Sequence, residues 1–184
     1  MSPLLSNIML NELDKELEQR GLNFVRYADD CIIMAKSEMS ARRIMRNVTR
    51  FIEEKLGLIV NAEKSQITKA NKLKFLGFGF YYSSTKKCYR AKPHATSVTK
   101  LKYKLKELSK RSWGISMDKR IERINQVVRG WVNYFKIGDM KMILKAISEH
   151  LRYRLIMCIW KQWKRGKTRV KALRQLGMTP YNAH

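Results

Sequence analysis

Apolar and polar residues alternate along the chain with two different periods, and these periods predict its helices and strands. In the first segment, apolar residues repeat every four positions, which indicates one face of a helix. This stripe consists of Leu5, Met9, Leu13 and Leu17. Ser2 and Pro3 are residue types that begin helices, and Gly21 is one that ends them.

A second helical stripe follows, between a candidate cap at Ser37 or Ser40 and a stop at Gly57. Its apolar members are Ala41, Ile44, Met45, Val48, Phe51, Ile52 and Leu56. Residues 58–61 are predicted to return as a strand. Residues 72–82 are predicted to form one further strand, which returns through residues 83–85 to residues 88–92. Gly77 and Gly79 within it indicate a bulge or a close approach of the backbone to another molecule.

Beyond Pro93 the pattern is helical throughout. The first of these helices carries Val98, Leu101, Leu105 and Leu108 on one face. Ser116 begins a second helix that ends near Gly138, and Asp139 is predicted to cap a third that runs to about residue 165. Gly177 ends a further short helix. Three antiparallel helices with short connections predict a small bundle, and the whole pattern predicts an α+β fold.

Two adjacent carboxylates lie between two short apolar runs. Residues 24–27 and 31–35 flank Asp29 and Asp30, which predicts a tight hairpin with both acids at or just past its turn. Strand alternation predicts Tyr27 and Asp29 on the same side. Two anions this close repel each other, and a divalent cation such as Mg²⁺, which prefers hard oxygen ligands, relieves that repulsion. Ordinary turn chemistry is the alternative, but Tyr27 and the flanking strands favour a metal site.

Composition points to a polyanionic partner. The 184 residues are 45% hydrophobic, enough to bury a core, and carry a net charge of +24. Residues 1–96 contain 17 Lys+Arg and 10 Asp+Glu, whereas residues 97–184 contain 22 and 5. Nucleic acid is the usual partner of so basic a chain, and the second half is predicted to be its stronger electrostatic surface.

The three cysteines argue against disulfide bonds and against a zinc site. Cys31, Cys88 and Cys158 are scattered and odd in number, which favours reduced thiols and a cytoplasmic setting such as the bacterial cytosol or nucleoid. Their spacing relative to the histidines does not fit a zinc site. The chain shows no signal peptide and no long uncharged apolar run, so no membrane span is predicted.

Residues 27–30 (Tyr-Ala-Asp-Asp) resemble the YADD box of reverse transcriptases, and their surroundings resemble the group II intron-encoded reverse transcriptases, or maturases. Upstream, residues 2–7 with Leu13-Asp14 are similar to the motif that precedes that box. Downstream, residues 56–58 together with residues 61–65 resemble the next polymerase motif, and residues 75–78 resemble the one after it. Residues 125–135 are similar to the thumb, or maturase, signature.

This resemblance implies a domain order and a fragment. Residues 1–95 would be the latter part of a polymerase palm, built from antiparallel hairpins with packed helices. Residues 96–166 would be an all-α, three-helix thumb or maturase domain, and residues 167–184 a truncated C-terminal tail. The fingers and the first catalytic Asp of such an enzyme are not recognisable, so an upstream fingers and palm half is expected as a partner.

The resemblance also implies an activity. The complete enzyme would extend a DNA primer on an RNA template from dNTPs, with two Mg²⁺ ions, and would bind intron RNA to assist splicing and mobility. Asp29 would be the principal catalytic metal ligand and Asp30 the auxiliary one. Nucleotide or primer positioning is expected from Tyr27, Ser6, Asn7 and Lys64. The primer grip is expected at Leu76, Gly77 and Phe78.

Each of these roles has an alternative. Ser6 and Asn7 could be ordinary polar helix positions, Lys64 a surface residue, and residues 75–78 part of a core hairpin. Nucleic-acid binding is expected from Lys100, Lys102, Lys104, Arg129, Arg152, Arg154, Lys161, Lys164 and Arg165. Trp160 and Trp163 lie among the last of these and suit base contacts, unless at least one fills the bundle core. The competing functions are a non-catalytic RNA-binding splicing module and an inactive remnant of a truncated gene.

Overall fold

The computed structural model describes residues 3–179, and these belong to two compact units that divide between Lys69 and Ala70. Ser2, the predicted cap of the first helix, lies outside the described residues. Both units combine helices with a small antiparallel sheet, which confirms the predicted α+β class. The predicted domain limits, 1–95, 96–166 and 167–184, remain a prediction, and the compact units divide earlier, at residue 69.

The first unit consists of helix α1 (Pro3–Gln19), strands β1 (Phe24–Tyr27) and β2 (Asp30–Ile33), and helix α2 (Glu38–Lys55). Leu13 and Leu17 on α1 are buried, as the four-residue repeat predicted. The N-terminal half of that stripe is more open, and Leu5 is exposed. Gly21 adopts φ +63°, the left-handed conformation in which glycine commonly ends a helix.

Helix α2 begins at the predicted cap, but the segment after it does not form the predicted strand. Ser37 is its N-cap and forms a capping box with Ser40, in which each side chain accepts a hydrogen bond from the other's backbone N–H. Residues 58–61, predicted to be a strand, are not one. The Leu58 N–H instead donates to the Ile52 carbonyl at the end of the helix. A strand requires a neighbour for its backbone groups, and among the described residues none pairs with this segment.

The second unit contains a sheet in the order β3 (Lys74–Phe75), β4 (Phe78–Ser83), β5 (Cys88–Pro93), antiparallel throughout. The single strand predicted for residues 72–82 is therefore wrong. Leu76 and Gly77 form a two-residue reversal between β3 and β4, with φ of +48° and +80°. Two consecutive positive φ values are typical of the tightest hairpin turns. Gly77 therefore does mark an interruption of the strand, but the interruption is a chain reversal rather than a bulge.

Four helices follow: α3 (Ala95–Leu108), α4 (Met117–Phe135), α5 (Lys141–Gln162) and α6 (Gly166–Gln175). The first three form the predicted bundle, whose buried core consists of Leu101, Leu105, Ile124 and Ile147. Ser116 caps α4 as predicted. Asp139 does not cap α5, which begins after Met140 without a side-chain cap. Its carboxylate instead accepts the Tyr81 hydroxyl at 2.6 Å and pairs with Arg90.

Every helix within residues 3–179 is too short or too polar to cross a lipid bilayer.

Candidate functional site

The two candidate carboxylates lie at the turn of the β1–β2 hairpin, as predicted. Tyr27 and Asp30 are opposite each other at the end of the ladder, so that the turn itself consists of Ala28 and Asp29. Ala28 has φ +52°, which tightens the reversal. All four side chains are exposed. Since Asp29 lies in the turn rather than in a strand, strand alternation does not decide which side it shares with Tyr27.

Helix α1 contacts this turn through Ser6, the first polar residue of the helix. The Ser6 hydroxyl donates to Oδ1 of Asp29 at 2.8 Å. The contact orients one carboxylate oxygen of Asp29 and leaves the other, Oδ2, available to a ligand. Ser6 was expected to face template or nucleotide, and the structure places it directly against the candidate metal ligand.

Arg26 holds α1 and the hairpin together, and the sequence analysis did not single it out. Its Nε donates to Oδ1 of Asp14 at 2.7 Å, and its Nη2 donates to the other oxygen of the same carboxylate. Its Nη1 donates to Oδ1 of Asn7 and to the Ala28 carbonyl, each at 3.0 Å. One planar guanidinium therefore ties two turns of α1 to the backbone beside Asp29.

The electrostatics of this cluster favour a fixed charge state. The hydrogen bond to Asp14 raises the pKa of Arg26 above its ordinary value, against an opposing effect of burial. Both side chains of the pair are largely buried, where a fork of two parallel hydrogen bonds is strongest. The sequence did contain a signal for this ion pair. Arg26 is a charged residue inside a four-residue strand, and Asp14 is an acid in the preceding helix.

The turn offers oxygen ligands of the kind that Mg²⁺ prefers. Asp29 and Asp30 are adjacent and exposed, and Asp14, which Arg26 joins to the same cluster, is already paired with that arginine. Within residues 3–179 no group of three or more acidic, histidine or cysteine side chains converges. The two carboxylates fit an ion that takes its remaining ligands from water and phosphate oxygens.

Cys31 lies opposite Arg26 in the hairpin. Cys31 is exposed at the surface, but desolvation of its thiol raises the pKa to about 11, the Asp14 carboxylate adds to the shift, and Arg26 opposes it. We therefore expect the thiol to stay protonated at neutral pH. Its alkylation by iodoacetamide, followed by peptide mass spectrometry from pH 7 to 11, should remain slow at pH 8 and accelerate up to the highest pH tested. A rate that levels off near pH 9 would contradict the assignment.

Lys64 lies in a turn of the first unit. Its backbone N–H donates to the Asn61 carbonyl and to Oδ1 of Asn61, and its side chain is exposed. The Asn61 side chain thus fixes the backbone of this turn while the ammonium group remains free to reach a ligand.

The residue 75–78 turn, expected to be the primer grip, is fastened to the helices of the second unit. The Tyr134 hydroxyl donates to the Leu76 carbonyl at 2.9 Å. The Gly77 carbonyl accepts from the His94 N–H and from the Ser97 hydroxyl, each at 2.9 Å. Both carbonyls of the reversal are therefore held by groups outside the hairpin.

Packing reinforces these hydrogen bonds. The Phe78 ring lies 5.9 Å from the Tyr134 ring and 4.9 Å from the Phe135 ring, between centroids. A Cβ at Gly77 would lie 3.1 Å from the Ser97 hydroxyl and 3.3 Å from Phe135. Glycine is required here both by its φ and by this close approach. The turn is thus a fixed, backbone-presenting element.

Most of the basic residues expected to bind nucleic acid are exposed in the second unit, on its helices or in the connection between α5 and α6. The exposed ones are Lys100, Lys102, Lys104, Arg129, Arg152, Lys161, Lys164 and Arg165. Gly130, beside Arg129, has open space around it. Trp160 and Trp163 pack on each other and lie outside the buried core cluster, which Trp131 joins instead. Arg169 lies over the Trp160 ring.

Arg154 differs from the rest of this set. Its Nε donates to the Ser109 hydroxyl at 2.6 Å, and its Nη2 donates to the carbonyls of Lys106 and Ser109. Its guanidinium is therefore engaged at the C-terminal end of α3, which gives it a structural role. The sequence offered no way to separate it from its neighbour Arg152, because helical spacing alone does not show which arginine faces α3.

Two family models match the chain. The model of the reverse transcriptase family (RNA-dependent DNA polymerase) matches residues 1–80, which include the β1–β2 hairpin and the residue 75–78 turn. The model of the group II intron maturase-specific domain matches residues 98–177, which include most of α3 and all of α4, α5 and α6. A comparison with individual curated proteins gave no match.

Proposed function

This chain belongs to the reverse transcriptases and maturases that group II introns encode, and we propose that its β1–β2 turn supplies two of the catalytic carboxylates for RNA-templated DNA synthesis. The observation that carries the proposal is the clamp around the turn. Ser6 fixes one oxygen of Asp29, and Arg26 fixes the backbone at Ala28. The carboxylates are thereby presented outward in one arrangement.

The residues divide the work as follows. Asp29, oriented by Ser6, is the principal metal ligand, and Asp30 is the auxiliary one. Mg²⁺ held there would lower the pKa of the primer 3′-hydroxyl and stabilise the charge of the in-line transition state. Tyr27, exposed at the end of β1, positions the nucleotide or the primer end. Asn7 acts through Arg26, and Lys64 contacts the triphosphate.

The residue 75–78 turn holds the primer strand by its backbone. The turn carries no net charge of its own, and its shape is fixed by Tyr134 and Ser97. A reversal whose backbone is fixed in this way presents a constant surface to the primer strand. The basic faces of α3, α4 and α5 contact RNA phosphates, including those of the intron.

Metal binding tests the turn directly. Asp29→Asn is expected to weaken Mn²⁺ binding on the order of tenfold, because it removes half of the local charge and replaces one ligand oxygen by an amide nitrogen, and Asp30→Asn to weaken it less. Broadening of NMR signals from the hairpin by Mn²⁺ measures this. Asp118→Asn, an exposed acid on α4, is the matched control. If both hairpin variants titrate like the parent, the carboxylates are turn residues only.

RNA binding tests the second unit. We expect affinity for structured RNA to fall about 10³-fold between 50 and 200 mM salt, as for a protein that neutralises several phosphates. Filter binding across salt measures the slope. Replacing Lys100, Lys102 and Lys104 together by Gln should make the slope shallower by about one for each lost contact.

The matched control carries the same change in charge on α2. Arg42, Arg43 and Arg46 are exposed there, and replacing all three by Gln should leave the slope nearly unchanged. Equal effects of the two triple variants would show that only the net charge of the chain matters.

A splicing module without catalysis is the competing function. Both alternatives predict RNA binding, but only the polymerase requires the reverse transcriptase motifs to be assembled. The arrangement of Ser6, Arg26 and Asp29 around one turn favours the polymerase, since RNA binding by basic helices has no need of it.

A further inference from the structure

The outer end of the β4–β5 hairpin carries two exposed tyrosines. We define the hairpin tip as residues 82–89, with a turn at residues 84–87. Tyr82 and Tyr89 are cross-strand partners, 54% and 57% exposed. Their rings lie 5.4 Å apart at 70°, edge to face. On the same face nearer the helices, Phe78 and Phe80 are half-buried and Pro93 is buried. The aromatic face thus continues from the interior into solvent.

Positive charge surrounds this aromatic pair. Lys86 and Lys87 are exposed in the turn, and Lys87 adopts φ +51°. Residues 70–106 contain ten Lys+Arg and no Asp or Glu. Arg90 is engaged by Asp139 and Lys92 lies over the Tyr81 ring. Within the described residues, Lys86 and Lys87 form no ion pair, so both ammonium groups can reach a ligand.

A hairpin alone would not need this combination. A cross-strand aromatic pair stabilises two strands whether or not its outer faces are open. Here each tyrosine is more than half exposed, and two lysines lie in the adjoining turn. Open aromatic faces beside cations are the arrangement by which proteins hold unpaired nucleotides, with bases stacked on the rings and phosphates on the lysines.

We propose that the hairpin tip binds unpaired RNA, with one base stacked on each tyrosine and the connecting phosphates on Lys86 and Lys87. The identity of the partner as RNA rests on the proposed function. Duplex RNA does not fit, because its bases are already stacked and its deep groove is closed to side chains. An acidic peptide would use the lysines but would leave the aromatic faces without a role.

Fluorescence anisotropy with the full chain tests the site. The probes are a labelled uridine oligomer, the thymidine oligomer of the same length, and a blunt RNA duplex. Replacing Tyr82 and Tyr89 together by Leu is expected to weaken uridine oligomer binding at least about tenfold. Replacing both by Phe, the matched control that keeps the rings, should leave it unchanged. Binding of the duplex should change by less than twofold in both variants.

Several outcomes overturn the proposal. Parent-like binding of the uridine oligomer by the Leu variant would remove it, and so would an equal loss for the duplex. Tighter parental binding of the thymidine oligomer would remove RNA as the ligand. A poly-glutamate peptide that binds with the same dependence on Tyr82 and Tyr89 would indicate a protein partner instead.

Ultraviolet cross-linking gives a second measurement in case the Leu variant does not fold. The uridine oligomer should cross-link to the parental peptide that contains the hairpin tip, and its absence from that peptide overturns the proposal. Failure of the proposed function looks different. There the parent binds neither the duplex nor the oligomer in a salt-dependent way, whereas failure of the hairpin tip alone leaves that binding intact.

Discussion

Asp29→Ala is expected to abolish primer extension, by a factor on the order of 10³ or more, equivalent to about 4 kcal/mol of transition-state stabilisation. Two-metal nucleotidyl transfer requires carboxylates that converge on both cations. Asp29 is the acid whose oxygen is oriented by Ser6. Its loss removes the principal ligand, while Asp30→Ala should reduce extension less.

The extension assay should be run with and without a second polypeptide that carries the fingers and a further catalytic Asp. The β1–β2 turn offers two adjacent carboxylates, whereas two-metal transfer calls for carboxylates that converge on both ions. We propose that the 184-residue chain binds primer–template without extending it by itself. A separately expressed upstream half, with the fingers and a third catalytic Asp, should restore extension of a DNA primer on an RNA template. Asp118→Ala serves as the matched control on α4.

Two results would contradict this view. Extension by the 184-residue chain alone, lost on Asp29→Ala, would show that the turn's two carboxylates suffice. Full activity of the reconstituted pair with Asp29→Ala would show that the metal is held elsewhere. Primer–template binding, measured in parallel, should be retained by Asp29→Ala, since the basic helices are unchanged.

Arg120→Met is expected to lower the free energy of unfolding of the second unit by about 3 kcal/mol or more. Arg120 is 1% exposed. Its Nη1 donates to the Leu108 and Lys110 carbonyls, each at 2.9 Å, and its Nη2 to the Trp113 carbonyl at 2.7 Å. It therefore fastens the C-terminal end of α3 to the loop that leads into α4. Met fills a similar volume but removes all three side-chain hydrogen bonds, and only the Lys110 and Trp113 carbonyls keep a backbone donor, from the N–H groups of Trp113 and Ile115.

Urea denaturation followed by circular dichroism measures the change. Arg123→Met is the matched control, because Arg123 is exposed on the same helix, and its effect should stay within about 0.5 kcal/mol. Arg120→Lys should recover only part of the loss, since an ammonium group lacks the planar fork. A parent-like midpoint for Arg120→Met would show that the carbonyls find other donors.

Local signals in the sequence were sufficient for helix ends and for the β1–β2 hairpin. Ser37, Ser116 and Gly21 act as predicted because capping and left-handed turns depend on the residue itself and its near neighbours. The position of Asp29 and Asp30 at the turn follows from the same kind of local pattern.

Features that depend on distant partners were not predictable. Asp139 was interpreted as a helix cap, yet it binds Tyr81 and Arg90. This hydrogen bond raises the pKa of Tyr81. Leu76 carried no signal for a positive φ, which is rare outside glycine, because Tyr134 stabilises it from far along the chain. Residue type alone does not distinguish Arg26 and Arg154 from exposed arginines. Only their tertiary contacts, with Asp14 and Ser109 respectively, do so.

We do not expect substitutions of Tyr134 that abolish splicing but keep reverse transcription, or the reverse. This residue lies in the segment matched by the maturase model, whereas the Leu76 carbonyl that it holds lies in the segment matched by the reverse transcriptase model. A substitution selected for loss of one activity there disturbs the element proposed to serve the other. Genetic screens for such alleles should instead recover exposed positions such as Arg129, which contribute to RNA binding without supporting the turn.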